Sequence, residues 1–319
     1  MRKNVKALII GVSCIAGLLG AMPVWAQSSA NVQSPQERLA RAEQLANYGK
    51  DLQNRFGEKA RVLSSGAQFI INLGNRWDKT KPMLEKLLYE GTPSQRDLPE
   101  SENSLAPVNG SNPNMDIITN FAGITQSETS VAWFGSKAIV GFNDSGSFLS
   151  TLVTPLPPPG AGNLSLNGWS RSTNANVGTP AWTDMGILPP ITQPGATFTD
   201  CFGDPVCRTT RLTDFYMCSL GYDSVPGPNF STILMFRSTD GGATFPVVTN
   251  AAAANAGTNF LDKPWMDVKP GASTAADTIH VVYTNFAVGG TSIDYVRSTN
   301  GAATWSVPVA IAAVADPSF

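Results

Sequence analysis

Histidine is nearly absent from this chain, since His280 is the only one among 319 residues. A zinc site built from several histidines is therefore excluded, and a Ser-His-Asp triad would depend on this single residue. His280 lies in the stretch TIHVVYTNF, whose β-branched and aromatic residues favour a histidine packed within a strand. The Gly-rich stretches match no phosphate-binding loop. Chemistry based on clustered histidines or on nucleotide phosphates is not expected.

Long apolar segments are also missing, apart from one run between Ala7 and Leu19. Basic residues at positions 2, 3 and 6 precede this run, and the small-residue site VWA at positions 24–26 follows it. This order is typical of a secretory signal peptide, so we expect cleavage after Ala26. The run is too short to span a bilayer comfortably, and the sequence predicts a secreted or periplasmic protein without a transmembrane segment.

Basic charge is in short supply. The chain has 22 Lys and Arg against 24 Asp and Glu, and removal of residues 1–26 leaves 19 basic against 24 acidic side chains. Binding to nucleic acid needs clustered positive charge that neutralises phosphates. The sequence therefore predicts no nucleic-acid partner.

Cysteines are few, and cleavage of the signal peptide leaves Cys201, Cys207 and Cys218. An exported protein with three cysteines is expected to hold one disulfide and one free thiol. If the segments PVCRT and FYMCSL pair across a turn near residues 211 and 212, Cys207 and Cys218 face each other. A bond between Cys201 and Cys207, which closes a short loop, is the alternative.

The pattern of residues 27–98 predicts a small helical segment. Ser34, Pro35 and Glu37 form the start signal of a helix, with a capping side chain, a proline in the first turn and a reciprocal Glu. Apolar residues then recur on one face, and three glycines divide the stripe into two or three helices, with a further short helix starting at Pro82. The stripe comprises Leu45, Leu52, Phe56, Leu63 and Ile70, the glycines are Gly49, Gly57 and Gly66, and the last helix has Leu84, Leu87 and Leu88. Residues 99–115 are rich in Ser, Asn, Pro and Gly, which indicates a linker.

Residues 116–319 contain an internal repeat. RSTDGGATF at 237–245 is repeated as RSTNGAATW at 297–305 and, with inserted residues, as RSTNANVGTPAW at 171–182. The serines Ser172, Ser238 and Ser298 are 66 and 60 residues apart. Each unit also carries three earlier short runs of aromatic and β-branched residues, which predicts four strands per unit. Such a unit, repeated at a near-constant period, predicts an all-β propeller of four-stranded blades preceded by the helical segment.

The repeated turn resembles the Asp-box, or BNR repeat, of sialidase-like β-propellers. The second copy matches the motif at every position, with Ser238, Asp240, Gly242, Thr244 and Phe245. The third copy keeps Ser298, Thr304 and Trp305, with Asn300 in place of the Asp. The resemblance implies a six-bladed ring, so the three blades here are expected to be a fragment, with association of half-propellers as the alternative.

Turn chemistry predicts a structural role for Asp240, because an Asp carboxylate accepts backbone N–H groups, glycines permit positive φ and the aromatic packs below. In a four-stranded meander this turn lies on the face opposite to the starts of the first strands. The predicted site lies on that other face, at the mouth of the channel. Its acids, amides and phenol suit sugar hydroxyls or a Ca²⁺ ion. The candidate ligand-binding residues are Glu128, Asp144, Asp204, Tyr222, Asp223, Asp262 and Asn285.

The functional prediction is a carbohydrate-binding or cell-exterior interaction module, with a glycan or another extracellular ligand as partner. The alternative is an exo-acting glycoside hydrolase of sialidase type. Sialidases of this family use three arginines, a Tyr activated by a Glu, and an Asp acid/base, and they carry an Arg-Ile-Pro motif. That motif is absent, and no arginine triad can be assembled from the five arginines after residue 101. No catalytic residue, metal ligand, cofactor or oligomeric state is assigned from the sequence.

Overall fold

The computed structural model describes residues 34–90, 126–144, 147–148, 164–188, 199–223 and 229–314. The predicted signal peptide and linker lie outside these described residues. The described part consists of a small N-terminal helical segment and three antiparallel sheets, all within one compact unit. None of its helices combines the length and apolarity needed to cross a bilayer.

Three helices form the N-terminal segment: α1 (Pro35–Phe56), α2 (Ser65–Asn75) and α3 (Trp77–Glu90), with a 3₁₀ turn at Gly57–Val62 between α1 and α2. The predicted start of α1 is confirmed. The Ser34 hydroxyl accepts the Glu37 N–H at 3.2 Å, and the Glu37 carboxylate accepts the Ser34 N–H at 2.6 Å. This reciprocal pair satisfies two backbone donors that a helix start leaves free.

Two details of the helical prediction are wrong. Gly49 does not interrupt α1, because it is the point where α1 crosses α2: a Cβ there would lie 2.0 Å from the Ile70 carbonyl oxygen. Pro82 does not start a helix but lies inside α3, which begins one turn earlier at Trp77. The apolar face of α3 is as predicted, with Leu84 fully buried. Tertiary packing thus overrides the local breaking signals of both residues.

The three sheets follow the predicted repeat of four strands, except that two short strands take the place of the first strand in sheet 2. Sheet 1 is β1 (Gln126–Phe134), β2 (Lys137–Asp144), β3 (Asn167–Ser172) and β4 (Thr183–Ile187). Sheet 2 is β5 (Thr199–Cys201) and β6 (Val206–Thr209), both paired with β7 (Phe215–Asp223), then β8 (Phe230–Ser238) and β9 (Val247–Asn255). Sheet 3 is β10 (Asn259–Lys269), β11 (Thr278–Ala287), β12 (Gly290–Ser298) and β13 (Val309–Val314).

The first strand of each sheet is broken at an equivalent residue with positive φ. These residues are Glu128 at 51°, Asp204 at 55° and Lys263 at 51°. In sheets 1 and 3 the break is a bulge, and in sheet 2 it separates β5 from β6. Of the three acids predicted at the channel mouth, Asp262 is one residue out of step with Glu128 and Asp204, because Lys263 occupies the equivalent position and Asp262 precedes it.

The sheets pack face to face in chain order, with one apolar core on each side of sheet 2. Met217 and Phe236 belong to the core shared with Trp169 of sheet 1. Cys218 belongs to the core shared with Val281 of sheet 3 and with the helices. Because successive residues of a strand point to opposite faces, sheet 2 is apolar on both faces.

The predicted disulfide between Cys207 and Cys218 does not form, and Cys201, Cys207 and Cys218 are all free and buried. Strands β6 and β7 do pair, but Cys207 lies opposite Met217 while Val206 lies opposite Cys218. This register differs by one residue from the predicted one, so the two thiols point into different cores. Burial raises the pKa of Cys201 and of Cys207 to about 12.

The Asp-box turn between β8 and β9 has the hydrogen bonds expected from its sequence. Oδ1 of Asp240 accepts the N–H groups of Ala243 and Thr244 at 2.9 and 3.0 Å, and Oδ2 accepts the Thr244 hydroxyl at 2.6 Å. Gly241 and Gly242 have φ near 80°, and Phe245 is buried beneath the turn. These bonds lower the pKa of Asp240 to about 2 although desolvation opposes the shift. The geometry is that of a turn-forming residue.

The partial copies reproduce this turn. Asn300 Oδ1 accepts the Thr304 N–H at 2.9 Å, and Trp305 reaches Thr249 of sheet 2 through its indole N–H. In the first copy, Asn174 accepts the Ala181 N–H at 2.8 Å across the inserted residues. One turn chemistry therefore serves all three sheets.

Candidate functional site

The three acids predicted at the channel mouth lie together, under the N-terminus of α2. We call Glu128, Asp204 and Asp262 the acid cluster. Asp262 Oδ2 accepts the Ser64 N–H and Glu128 Oε1 accepts the Ser65 N–H, both at 3.0 Å. The first N–H groups of a helix have no partner within it and carry partial positive charge, so carboxylates satisfy and stabilise them. The cluster's partner in this structure is part of the same chain.

Gly66 allows this approach. A Cβ at Gly66 would lie 1.9 Å from the Phe202 carbonyl oxygen and 3.3 Å from Oδ1 of Asp204. Any side chain there would push the start of α2 away from the cluster. The glycine predicted to divide the helical stripe thus also sets the contact between α2 and the sheets.

Asn143, at the end of β2 next to the predicted Asp144, links the members of the cluster. Its Nδ2 donates to Glu128 at 2.8 Å and to the Ser65 hydroxyl at 2.7 Å, and its Oδ1 accepts the Asp204 N–H at 2.7 Å. One amide therefore holds the breaks of β1 and of sheet 2 together with the start of α2.

Burial and mutual repulsion decide the charge of the cluster. Burial, followed by the charges of Asp262 and Glu128, raises the pKa of Asp204 well above its ordinary range. Burial raises the pKa of Asp262 to about 6, against the hydrogen bonds from Ser64 and Lys263. Desolvation opposes ionisation of Glu128, yet hydrogen bonds from Asp204, Ser65 and Asn143 keep its pKa below the ordinary value. Asp204 therefore favours its neutral form, whereas Glu128 favours its ionised form.

Helix α1 covers the neighbouring part of the same face. Arg41 and Asp200, both buried, form an ion pair at 2.9 Å between α1 and β5. Tyr48 stacks on Tyr222 with ring centroids 4.3 Å apart. Neither Arg41 nor Asp200 carried a signal in the sequence, because 159 residues separate them.

The other predicted residues do not join the acid cluster. Asp144 is buried and accepts the Ser147 hydroxyl at 2.6 Å. Asn285 donates to Asp294 and accepts from Asn259, both at 2.9 Å. Asp223 ends β7, and its side chain lies outside the described part of the structure. The seven predicted residues therefore divide into one cluster and separate local networks.

A cleft of about 500 Å³ lies between α1 and sheet 2. The stacked Tyr48 and Tyr222 belong to its lining, and burial raises the pKa of Tyr222 to about 12, so its hydroxyl stays protonated. Two of the lining carboxylates have basic neighbours: Glu43 lies 3.7 Å from Lys81, and Asp51 lies 3.3 Å from Arg55. The lining residues are Ala40, Glu43, Gln44, Asn47, Tyr48, Asp51, Tyr222, Asn229, Ala256 and Gly257.

A second cavity, of about 220 Å³, lies between α2 and sheet 1 and includes Asn143 and Asp144 in its lining. Within the described ranges no group of three or more His, Cys, Asp or Glu side chains is placed to hold a metal ion. His280 is packed in β11, where its Nδ1 lies 2.7 Å from the Tyr295 hydroxyl. Of the two cavities, the α1 cleft offers the larger and more polar space.

No protein-family model matches this sequence, and no curated protein matches it. Among solved structures, the structure of this chain is similar to that of an ulvan lyase from a new family of polysaccharide lyases (PL25), bound to -[GlcA(1-4)Rha3S]-. The two are 12% identical, and the match covers 57% of this chain and 39% of the lyase, with a TM-score of 0.31. A likeness of this extent carries no argument about the ligand or activity of this chain.

Proposed function

We propose that this chain is an exported propeller module of Asp-box type that binds a carbohydrate in the cleft between α1 and sheet 2. The observation that carries the proposal is the composition of this cleft. It combines two carboxylates, three side-chain amides and two tyrosines around about 500 Å³. Specific small-molecule sites are clefts of about 300 to 1,000 Å³ in which a few polar groups fix the orientation of the ligand.

The groups around the cleft suit sugar hydroxyls. A carboxylate accepts two hydroxyl protons side by side, and an amide both donates and accepts, so each can bind neighbouring hydroxyls of one ring. Lys81 and Arg55 balance the charges of Glu43 and Asp51, and the lining itself contains no cation that could bind a uronate or a sialate. We infer a neutral or an amino sugar as the ligand.

The propeller and Asp-box parts of the proposal are supported by the repetition itself. Three sheets of four or five strands follow one another face to face, and each carries a turn built on the same Ser and Asp or Asn pair. The predicted export is supported by the sequence of residues 1–26, and N-terminal sequencing of the mature protein is expected to begin at Gln27.

The contacts of the acid cluster argue against a ligand at the predicted mouth. Asp262 and Glu128 already accept backbone N–H groups of α2. The sialidase-type alternative needs an acid that faces the bound sugar and still holds its proton at neutral pH. Asp204 and Asp262, the two described carboxyls with raised pKa, face the start of α2 instead. We therefore favour binding without hydrolysis.

The test is calorimetric titration of the protein with a panel of neutral, amino and uronic oligosaccharides. Asn47→Ala removes an exposed amide from the cleft, and Asn54→Ala removes an exposed amide from the same helix outside it. We expect a neutral or amino sugar to bind, with affinity lowered about tenfold by Asn47→Ala and unchanged by Asn54→Ala. Binding that both variants leave intact, or hydrolysis of any sugar in the panel, contradicts the proposal.

A further inference from the structure

Asp204 of the acid cluster is followed by a proline, and an Asp-Pro bond has a chemistry of its own. The proline nitrogen belongs to a tertiary amide, which takes up a proton and leaves more readily than the nitrogen of an ordinary peptide bond. The Asp carboxyl can attack the carbonyl carbon of its own residue through a five-membered ring. The reactive form is the neutral carboxyl, because its proton goes to the leaving nitrogen. Asp-Pro bonds are therefore labile in acid and stable where the carboxyl is ionised.

The bond between Asp204 and Pro205 lies at the break between β5 and β6, where the backbone is strained. Asp204 has a φ of 55°, although a residue before proline normally takes an extended conformation with negative φ. Two amides hold this bend: Asn167 Oδ1 accepts the Gly203 N–H, and Asn143 Oδ1 accepts the Asp204 N–H, both at 2.7 Å. A strained residue held in place by its surroundings is typical of functional sites.

The Asp204 carboxyl is buried, and its Oδ1 has no hydrogen-bond partner among the described residues. Glu128 on β1 and Asp262 on β10 face it, and Lys263 lies next to Asp262. Burial, followed by the charges of Asp262 and Glu128, raises the pKa of Asp204, while the Ser64 hydroxyl at the start of α2 opposes the shift. The neutral, reactive form of this carboxyl is therefore kept at a pH at which an ordinary Asp is ionised.

Water can reach this region through the cavity of about 220 Å³ between α2 and sheet 1. Asn143, which binds the Asp204 N–H, belongs to its lining, and so does Gly66, whose Cβ position lies 3.3 Å from Oδ1 of Asp204. A cavity of this size with polar lining has room for several water molecules. The nucleophile, the proton and the water that the reaction needs are thus brought together.

We propose that the chain cleaves itself between Asp204 and Pro205. An oxygen of the Asp204 carboxyl attacks the carbonyl carbon of the same residue, and the bond from that carbon to the Pro205 nitrogen breaks. The carboxyl proton passes to this nitrogen, which leaves as an amine. Water then opens the cyclic anhydride and leaves two carboxyl groups on Asp204. Water is the one reactant consumed, and the ring closure is fast because both groups belong to one residue.

The two pieces are expected to stay together after cleavage. Strand β5 belongs to the first piece and pairs with β7 of the second. Sheet 1 also belongs to the first piece and shares an apolar core with sheet 2, to which Trp169 and Phe236 contribute. The cleaved protein should therefore remain folded and separate into two pieces only when it is denatured.

The first experiment incubates the purified mature protein at about pH 6, folded or in concentrated urea, and analyses it by denaturing electrophoresis and mass spectrometry. An Asp with the ordinary pKa of 3.8 is neutral in only about 0.6% of chains at this pH. We expect a piece that begins at Pro205, formed about tenfold faster or more in the folded protein than in urea. Equal rates in the two conditions, no cleavage, or a rate that rises with protein concentration overturns the proposal.

Two other bonds of the same chain serve as internal controls. Asp316–Pro317 has the same two residues and lies outside the described part of the structure. Lys263–Pro264 has the same position in sheet 3 and a φ of 51° at Lys263, but no carboxyl. In the folded protein we expect cleavage after Asp204 to exceed cleavage after Asp316, and none after Lys263. Cleavage after Lys263, or equal cleavage at both Asp-Pro bonds, contradicts a role of the fold in selecting Asp204.

A pair of variants tests the leaving group. Pro205→Ala keeps the Asp204 carboxyl and replaces the tertiary amide by a secondary one, whereas Pro264→Ala makes the same change at the equivalent break of sheet 3. We expect Pro205→Ala to slow cleavage about tenfold or more and Pro264→Ala to leave its rate unchanged, with urea unfolding used to verify that both variants fold. An equal effect of the two substitutions refutes the mechanism, and the comparison of wild-type protein with and without urea stands without either variant.

Discussion

Replacement of Asp204 by Asn is expected to weaken the pH dependence of unfolding and to leave the part that Asp262 contributes. The folded pKa of Asp262 is about 6 against an ordinary 3.8, and that of Asp204 is also raised. At a pH between the unfolded and the folded pKa, these carboxyls keep protons in the folded protein that they release in the unfolded chain. A rise in pH therefore favours unfolding. The stability that these protonated carboxyls contribute is fully present below the unfolded pKa and is lost as the pH rises through the folded pKa.

The size of the pH dependence in the wild-type protein can be worked out for Asp262. The difference between 3.8 and about 6 corresponds to about 3 kcal/mol of unfolding free energy, lost as the pH rises from about 4 to 6. Asp204 adds to this loss, because burial and the neighbouring charges raise its pKa as well. Asp204→Asn replaces a buried carboxyl that is costly to ionise with a neutral amide of nearly the same size. The variant should be more stable than wild type at neutral pH.

The assay is urea unfolding followed by tryptophan fluorescence between about pH 4.5 and 7.5, where the lowered pKa values of Asp240 and Glu128 contribute little. Asp267→Asn is the matched control, because Asp267 is on the same strand as Asp262 with 83% of its side chain exposed. We expect the free energy of unfolding to fall with pH in wild type and in Asp267→Asn, and to fall less steeply in Asp204→Asn, which keeps the contribution of Asp262. A wild-type stability that is flat or rises over this range refutes the reasoning, as does an unchanged slope in Asp204→Asn.

Three further predictions concern the turn, the thiols and the buried ion pair. Asp240→Ala should lower the free energy of unfolding by about 1 to 2 kcal/mol, a figure discounted for the exposure of Asp240, and should leave sugar binding intact. Asp240→Asn should lower it by less. The stabilisation by the wild-type carboxylate should be lost only below about pH 4, since the pKa of Asp240 is lowered to about 2. After unfolding, three thiols per mature chain should react with a thiol reagent, and almost none should react before unfolding. Fewer than three reactive thiols in the unfolded, non-reduced protein would show a disulfide. Arg41→Ala should destabilise by about 3 to 5 kcal/mol in chemical unfolding by leaving Asp200 buried without its cation, and a loss below about 1 kcal/mol would show that α1 contributes little there.

Local signals in the sequence were enough for the elements and their order. The capping box at Ser34 and Glu37 forms as expected, because it depends only on residues three apart. The strands follow the predicted runs, because alternating aromatic and β-branched residues favour the extended backbone wherever they occur. The Asp-box turn is equally local, since Asp240 binds groups within four residues of itself.

Tertiary structure decided everything that depends on register or on distant partners. A shift of one residue between β6 and β7 sends Cys207 and Cys218 into different cores, and no spacing rule reveals such a shift. The sequence singled out Glu128, Asp204 and Asp262, but their partner is the start of α2, which lies more than sixty residues earlier in the chain than the nearest of them. The cleft at Tyr222 likewise exists only because α1 packs on sheet 2. Short-range chemistry thus determined what each segment forms, whereas the packing of helices on sheets determined which polar groups are satisfied within the protein and which line a cleft.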